Sequence, residues 1–424
     1  MLEGLEHMEE IFYPVWKQAG KKWKCVLHNM CSYLAMFPPA LPNYFIEQFT
    51  KKGDYVLDPF SGRGTALLEA ARCGRIPIGN DLNPLAYLLS FSKVQLPEYN
   101  QILARLDELE KNYKAPNIED VPEDIKMLYD LELTLPQLVY LKQELNRKDK
   151  IDIFILGALM GIMHGNHRKD GTSSSLSISM PNTFSMSPNY VKKYIEEKEL
   201  KKIKQDVFSC LKDKIKKIYP FDEQLTEGEM FCDNALNLNK QEYSKLFGKI
   251  KLIITSPPYL KVINYGKYNW IRLWLLDEDS KDIDQNLMFE AAYRRGENLT
   301  LSDDLKLDQY LEFMKDIICG WEKLLTEDGM AVIVIGDVDN HKGKYFKLAD
   351  TVWEYVKNYT KLNLIDIIED DIDGNSKVTK IWGQQRKGDA TKVDRLLILS
   401  KLGSVQPNYR HDIEKIFTSK YGGK

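Results

Sequence analysis

The chain lacks several marks that would assign its class at once. None of its six cysteines forms a C-x-x-C pair, which argues for a reducing compartment and against a disulfide framework or a zinc ribbon. Cys25, His28 and Cys31 lie close together, but no fourth ligand follows at metal spacing, so no metal is expected. No apolar run reaches membrane-spanning length. Residues 151–165 come nearest and, being short and carrying a charge, read as a buried helix. The opening stretch MLEGLEHMEE is acidic and has no apolar core, so a signal peptide is not expected and the protein reads as cytoplasmic. A net charge of −3 over 424 residues rules out a generic polyanion binder and leaves room only for a local basic surface. There is no internal repeat.

What is present is an alternation of short apolar strands and helical stretches. Strands are expected at 54–60 (DYVLDPF), 75–82, 228–235, 249–256 (KIKLIITS) and 329–338, with a final pair at 361–371 and 393–401. TALLEAARCG reads as the helix between the first two strands. The pattern predicts an α/β fold with a mainly parallel seven-stranded sheet, and an antiparallel hairpin at one edge because the last two strands have no helix between them. More than a hundred residues without strand pattern separate the second and third strands. With helix expected over 99–145, 150–161 and 188–217, this stretch predicts a largely helical inserted subdomain. The expected division is 1–100 and 226–403 for the two parts of a catalytic domain, 101–225 for the insertion, and 404–424 for a tail. Within the insertion, 164–190 is serine-rich and basic at its start. Its serines alternate with Leu176, Ile178, Met180, Phe184 and Met186, which favours an ordered surface element that meets a ligand over a solvated linker.

LDPFSGRGT (57–65) puts an acid and two glycines, Gly62 and Gly64, between a strand end and a helix, where the backbone turns sharply and approaches a ligand. The third glycine of the dinucleotide fingerprint is absent, and so is a Walker lysine. The loop therefore suits a ligand without phosphates. Asp81 ends the second strand nineteen residues after Gly62, where doubly wound folds place an acid on ribose hydroxyls. Asp233 ends the third strand on the same rim. Three acids, Asp58, Asp81 and Asp233, repel one another unless a cationic, donor-rich ligand lies among them. S-adenosylmethionine has the ammonium, the ribose, the exocyclic amine and a sulfonium.

TSPPYL (255–260) follows a buried strand with two prolines, which cannot extend it. A stiff exit of this kind holds a polar side chain, backbone carbonyls and an aromatic ring in place. An exocyclic amine on a base is a poor nucleophile, and acceptors at both its protons favour the tetrahedral nitrogen that attacks a methyl group. Ser256 Oγ and the Pro257 carbonyl are candidate acceptors, and Tyr259 is a candidate stacking ring, a contact worth about 1–3 kcal/mol. There is no Pro-Cys dipeptide, which speaks against thiolate chemistry at cytosine carbon 5.

These motifs together resemble the amino-group DNA methyltransferases, which methylate cytosine N4 or adenine N6. DPFSGRGT is similar to their cofactor loop, GNDLNP to their ribose-binding segment, CDNA (232–235) to the segment beside the adenine ring, and TSPPY to their catalytic motif. MFPPALPNYFI (36–46) resembles the segment that closes over the methionine part of the cofactor. The resemblance covers about residues 25–100 and 225–403. It implies a Rossmann-like methyltransferase fold, S-adenosylmethionine as cofactor, and double-stranded DNA as partner, with a paired restriction endonuclease as a further possible partner. It implies cofactor contacts from Phe37, Pro38, Asp58, Pro59, Phe60, Ser61, Gly62, Gly64, Thr65, Asp81, Leu82, Asp233, Asn234 and Ser256. Catalysis would fall to Ser256, Pro257, Pro258 and Tyr259. The motif order places target recognition in the insertion, and a serine before the prolines is more typical of cytosine N4 enzymes than of adenine N6 enzymes.

DNA contacts are expected from His164, Arg168, Lys169, Ser173 and Ser174 in the insertion. Lys261 and Lys267, with Arg272, belong to an aromatic stretch that reads equally as a flipped-base channel or as an amphipathic helix with its rings in the core. Arg386 and Lys387 lie in a second basic loop, where phosphate contact and plain solvation are both open. The competing functions are adenine N6 methylation, methylation of RNA or of a protein amide, and a methyltransferase-like module that binds nucleic acid without turnover.

Overall fold

The computed structural model describes residues 16, 25–33, 38–167, 173, 175–180, 186–258, 265–287, 303–340, 344–371 and 393–404. Its centre is the strand that precedes the two prolines. β4 (Ile250–Thr255) is buried along its whole length. It pairs in parallel with β1 (Tyr55–Asp58) on one side and β5 (Leu325–Gly336) on the other. β2 (Ile76–Asn80) and β3 (Glu229–Phe231) extend the sheet beyond β1, both parallel. β9 (Val393–Ser400) runs antiparallel to β5, and β8 (Asn363–Asp371) forms the edge, antiparallel to β9. The order is β3-β2-β1-β4-β5-β9-β8. This is the seven-stranded sheet of the Rossmann-like methyltransferase fold, with its antiparallel hairpin at one edge. A short hairpin outside the expected set, β6 (Val338–Asn340) with β7 (Lys344–Phe346), rises from the end of β5.

Alternate residues of the central strands face opposite layers, as a sheet covered on both sides requires. Leu57, Ile78, Ile253 and Ile333 pack under α12 (Asp303–Trp321) and α13 (Leu348–Val356). Val56, Leu252, Ile254 and Val332 pack under α1 (Ala40–Phe49) and α2 (Thr65–Arg72). α3 (Pro84–Val94) follows β2, with Asn83 capping it through Leu85 N–H.

The long span between β2 and β3 is helical, but more broken than its composition predicts. The stretch expected as helix from 99 to 145 is α4 (Tyr99–Lys111), α5 (Glu123–Lys126) and α6 (Thr134–Glu144). Pro116 and Pro122 lie in the first break, where neither can donate a helical hydrogen bond. α7 (Lys150–Met160) is capped by Asp149, which accepts from Ile151 N and Asp152 N. α8 (Pro188–Lys198) ends at Glu199 in the left-handed region, φ 48°. α9 (Val207–Ile218) follows, capped by Asp206. After β4 come α10 (Tyr265–Leu275) and α11 (Ser280–Leu287). No described helix is long and apolar enough to cross a membrane.

Candidate active site

The carboxyl ends of β1, β2, β3 and β4 share one rim. β1 lies between β2 and β4, so the chain's path through the sheet reverses there, the place where doubly wound folds bind their ligands. The cofactor loop fills the β1 side. Ser61 Oγ donates to Asp58 O at 2.7 Å, and Ser61 N donates to Asn80 O at 3.0 Å. Gly62 N donates to Asp81 Oδ2 at 2.8 Å, while Asp81 Oδ1 accepts from Asn83 N at 2.9 Å. The loop turns through two left-handed glycines, Gly62 at φ 52° and Gly64 at φ 75°. A Cβ on Gly64 would sit 2.8 Å from Ser90 Oγ and 3.0 Å from its Cα, so only glycine fits where the loop meets α3.

Asp58 is buried and accepts from Thr255 Oγ1 at 2.6 Å and from Phe60 N at 3.2 Å. Burial pushes its carboxyl up to about 7 against those two hydrogen bonds, and the charge of Asp81 adds to the rise. Burial likewise raises Asp81 to about 6, against the N–H groups of Asn83 and Gly62. Among the described residues neither acid has an ion-pair partner. Asn80 donates to Pro59 O (3.2 Å) and Asp233 O (2.9 Å), and its Oδ1 is buried with no partner. Leu82 is exposed beside Asp81. The recess thus offers two underneutralised acids, an orphaned acceptor and an open apolar side chain. That set fits a ligand carrying an ammonium group, ribose hydroxyls and a flat base.

Asp233 differs from the other two acids. Burial would raise it, but hydrogen bonds from Tyr243 OH (2.6 Å), Asn237 Nδ2 (2.8 Å) and Asn234 N (2.7 Å) hold it below the usual carboxylate range. Asn234 accepts from Leu236 N and caps a short 3-10 turn. Both residues therefore also shape the rim around β3. Pro59, Phe60 and Thr65 sit in or beside the loop, with Phe60 against Phe313 at 6.0 Å and Thr65 starting α2. Pro38 is exposed just before α1, and Phe37 lies outside the described residues.

The strand carrying the proline motif ends beside Asp58. Thr255 closes β4 with its hydroxyl on Asp58, and Ser256, Pro257 and Pro258 leave the sheet next to the cofactor loop. Ser256 and Pro258 are half-buried and Pro257 is buried, whereas Tyr259 lies outside the described residues. Residues that sequence reasoning passed over complete this corner. Thr255 and Asn80 lie inside the quoted motifs TSPPY and GNDLNP and were legible there. Tyr33, whose hydroxyl is 2.9 Å from Asn83 Nδ2 and whose ring lies 3.5 Å from where a Gly62 Cβ would be, carries no signal at its distance in sequence.

Two of the basic side chains considered for DNA contact, His164 and Arg272, are not at the surface. His164 is buried, because 161–165 continues the end of α7 into the core with Ile162 and Met163 fully covered. It is therefore not placed to meet DNA. Arg272 is buried too, so the amphipathic-helix reading describes this part of α10. Lys267 is exposed, and Ser173 is half-buried, its Oγ accepting from Ser175 N at 2.9 Å. Residues 175–180 are ordered, with Leu176 N on Ile162 O and Ile178 N on Leu128 O, both 2.9 Å. Arg168, Lys169, Ser174, Lys261, Arg386 and Lys387 lie outside the described residues. The chain leaves β8 at 371 and re-enters at 393 on the rim that carries the site, where Arg395 Nε contacts both oxygens of Asp337 at 3.1 and 2.9 Å.

A family model described as DNA methylase matches residues 5–91. The Type II methyltransferase M.BsoBI of Geobacillus stearothermophilus is 26% identical over 288 residues, covering 61% of this chain and 54% of that protein. The Type II methyltransferase M.MvaI of Kocuria varians is 24% identical over 314 residues, covering 67% of this chain and 65% of that one. The chain thus spans between about half and just under two thirds of these relatives' length. Among solved structures, TrmN from Thermus thermophilus aligns at 12% identity over 89% of this chain and 52% of that one, with a TM-score of 0.32, too loose a likeness to argue from. S-adenosylmethionine is the methyl donor that the family and the fold imply, and the donor set around Asp58 and Asp81 fits it. The family model and the relatives alike support a likeness of this chain to the amino-methyltransferases, the family that its sequence motifs resemble.

Proposed function

We propose that the protein is a site-specific DNA methyltransferase that acts on the exocyclic amine of a flipped base, cytosine N4 in preference to adenine N6. The observation that carries this reading is the 2.6 Å hydrogen bond from Thr255 to Asp58. It joins the strand end bearing Ser256-Pro257-Pro258 to the strand end bearing the cofactor loop, so methyl donor and acceptor would meet across one side chain's width. Bound S-adenosylmethionine supplies an electrophilic methyl on a sulfonium. Asp81 takes the ribose hydroxyls, and Asp58, Gly62 and Gly64 line the approach to the amino-acid part, with Phe37 and Pro38 closing over it. Asp233, Asn234 and Leu82 border the adenine.

On the target side, Ser256 Oγ and the Pro257 carbonyl accept the two amine hydrogens and favour the pyramidal nitrogen. Tyr259 stacks on the extrahelical base and offsets part of a flipping cost of a few kcal/mol. No covalent enzyme intermediate is needed. Holding the amine in line with the methyl group contributes up to about 7–11 kcal/mol. Serine ahead of the prolines favours cytosine. Lys261, Lys267, Arg386 and Lys387 supply phosphate contacts, as do Arg168, Lys169, Ser173 and Ser174 of the insertion. Mass spectrometry of digested DNA from cells expressing the chain tests the proposal. N4-methylcytosine supports it, N6-methyladenine moves it to the sister activity, and methylation of RNA or protein alone overturns it.

A further inference from the structure

α10 begins seven residues after Pro258, yet its buried side chains cluster with the insertion. Trp270, Ile271, Leu273 and Leu275 lie in the core of the insertion with Phe154, Leu156 and Leu159. The polar contacts agree with this. Trp270 Nε1 donates to Met186 O at 2.8 Å, ahead of α8. Arg147, between α6 and α7, donates to Leu276 O at the end of α10 and to Asp277 Oδ2 at 2.8 Å.

Arg272 is at the centre of this junction, 1% exposed. Its Nε donates to Met160 O at 3.1 Å, its Nη1 to Asn269 Oδ1 at 2.8 Å and its Nη2 to Ser32 Oγ at 3.0 Å. Met160 is the last residue of α7, so the guanidinium meets the negative end of that helix, where a cation is favoured. Ser32 precedes Tyr33, the residue lying against Gly62 of the cofactor loop. The fit at this point is close, since a Cβ on Gly161 would sit 1.9 Å from Met30 O.

Resting on the methyltransferase reading above, we infer that Arg272 is a positioning residue for methyl transfer. One guanidinium sets the spacing of three segments: the helix that follows the catalytic motif, the insertion, and the strip of chain laid on the cofactor loop. It holds Ser256-Pro257-Pro258 in register with both the cofactor side and the target side. A planar fork reaching three acceptors in different directions has no lysine equivalent.

The test compares Arg272→Lys and Gly161→Ala with Arg105→Gln. Gly161→Ala keeps the Arg272 side chain itself but forces Met30 away from the end of α7. Arg105→Gln removes an ion pair with Asp152 (2.9 Å) that lies within the insertion. Steady-state methylation, cofactor calorimetry and thermal melts are measured on each. A misplacement on the order of 1 Å lowers rate about 100-fold, so Arg272→Lys and Gly161→Ala should lose kcat on that scale while cofactor affinity changes by less than about threefold. Arg105→Gln should lower Tm and keep kcat. A folded Arg272→Lys that turns over like wild type, or an equal kcat loss in Arg105→Gln, overturns the inference. If the wild-type chain methylates no DNA, the methyltransferase reading falls, and this inference with it.

Discussion

Within the β1-α2-β2 unit that carries the cofactor loop, hydrogen bonds join residues close in sequence: Gly62 to Asp81 and Asn80 to Ser61 each span 19 positions, and Asn80 to Pro59 spans 21. Around α10 they span far more, 112 positions from Arg272 to Met160 and 240 from Arg272 to Ser32. One side of the site is a strand-turn-helix unit that nearly dictates its own shape. The other is assembled from segments with no local reason to meet. A local unit fails through its turn residues and charges, whereas an assembled one fails through its spacing.

The largest effect on the local side should come from Gly64→Val. A side chain there combines a left-handed backbone with a clash against α3 and should cost about 2–4 kcal/mol. Calorimetry should find cofactor binding lost, while thermal melts still show a cooperative fold. Unchanged binding would mean that the loop tolerates slack and is less self-determined than this comparison holds.

Asp81→Asn should rank next. It removes a charge-assisted hydrogen bond worth about 1.5–3 kcal/mol, a roughly ten- to hundredfold loss of cofactor affinity. The pH dependence has a definite sign. Asp81 and Asp58, raised to about 6 and about 7 by burial, are protonated in the ligand-free fold below those values. Their folded pKa values exceed the unfolded ones, so the stability they contribute is fully present below pH about 4 and is lost as pH rises through 6 to 7. A cationic cofactor prefers the ionised acids, so its affinity should climb across that window. Asp81→Asn should flatten the lower part of the climb, and an identical profile in the mutant would remove Asp81 from the site.

Thr255→Val probes the seam between the two sides. Losing one hydrogen bond to Asp58 corresponds to about 0.5–1.5 kcal/mol, so methylation should slow roughly two- to tenfold with cofactor affinity little changed. The reverse pattern, intact turnover with weak cofactor binding, would assign the bond to the cofactor side alone.

Lys267→Gln should have the smallest effect. An exposed lysine contacting one phosphate should weaken DNA binding evenly across sequences and reduce the salt slope by about one unit. Titration at several salt concentrations checks this, and an unaltered slope would mean that the exposed face of α10 does not meet DNA.

The strands, their parallel pairing and the edge hairpin were legible in the chain because short apolar runs, alternating with helical stretches and punctuated by glycine and proline, encode strands locally. The cofactor corner was legible for a related reason: Asp58, Gly62, Gly64 and Asp81 belong to one β-α-β unit whose spacing is set by a short helix. The fates of His164 and Arg272 were not legible. Whether a basic residue on a helical stretch faces water or a core depends on which distant segment covers it, and here α7, α10 and the Ser32 strip cover one another. The Thr255 bond to Asp58 belongs to the same class, since it exists only because β1 and β4, 197 positions apart at that contact, became neighbours in the sheet. Local conformational preference made the parts of this protein readable in its sequence. Which parts touch was decided by the packing of its tertiary structure, because long-range neighbours are selected by the burial of whole surfaces and leave no mark on any single stretch of residues.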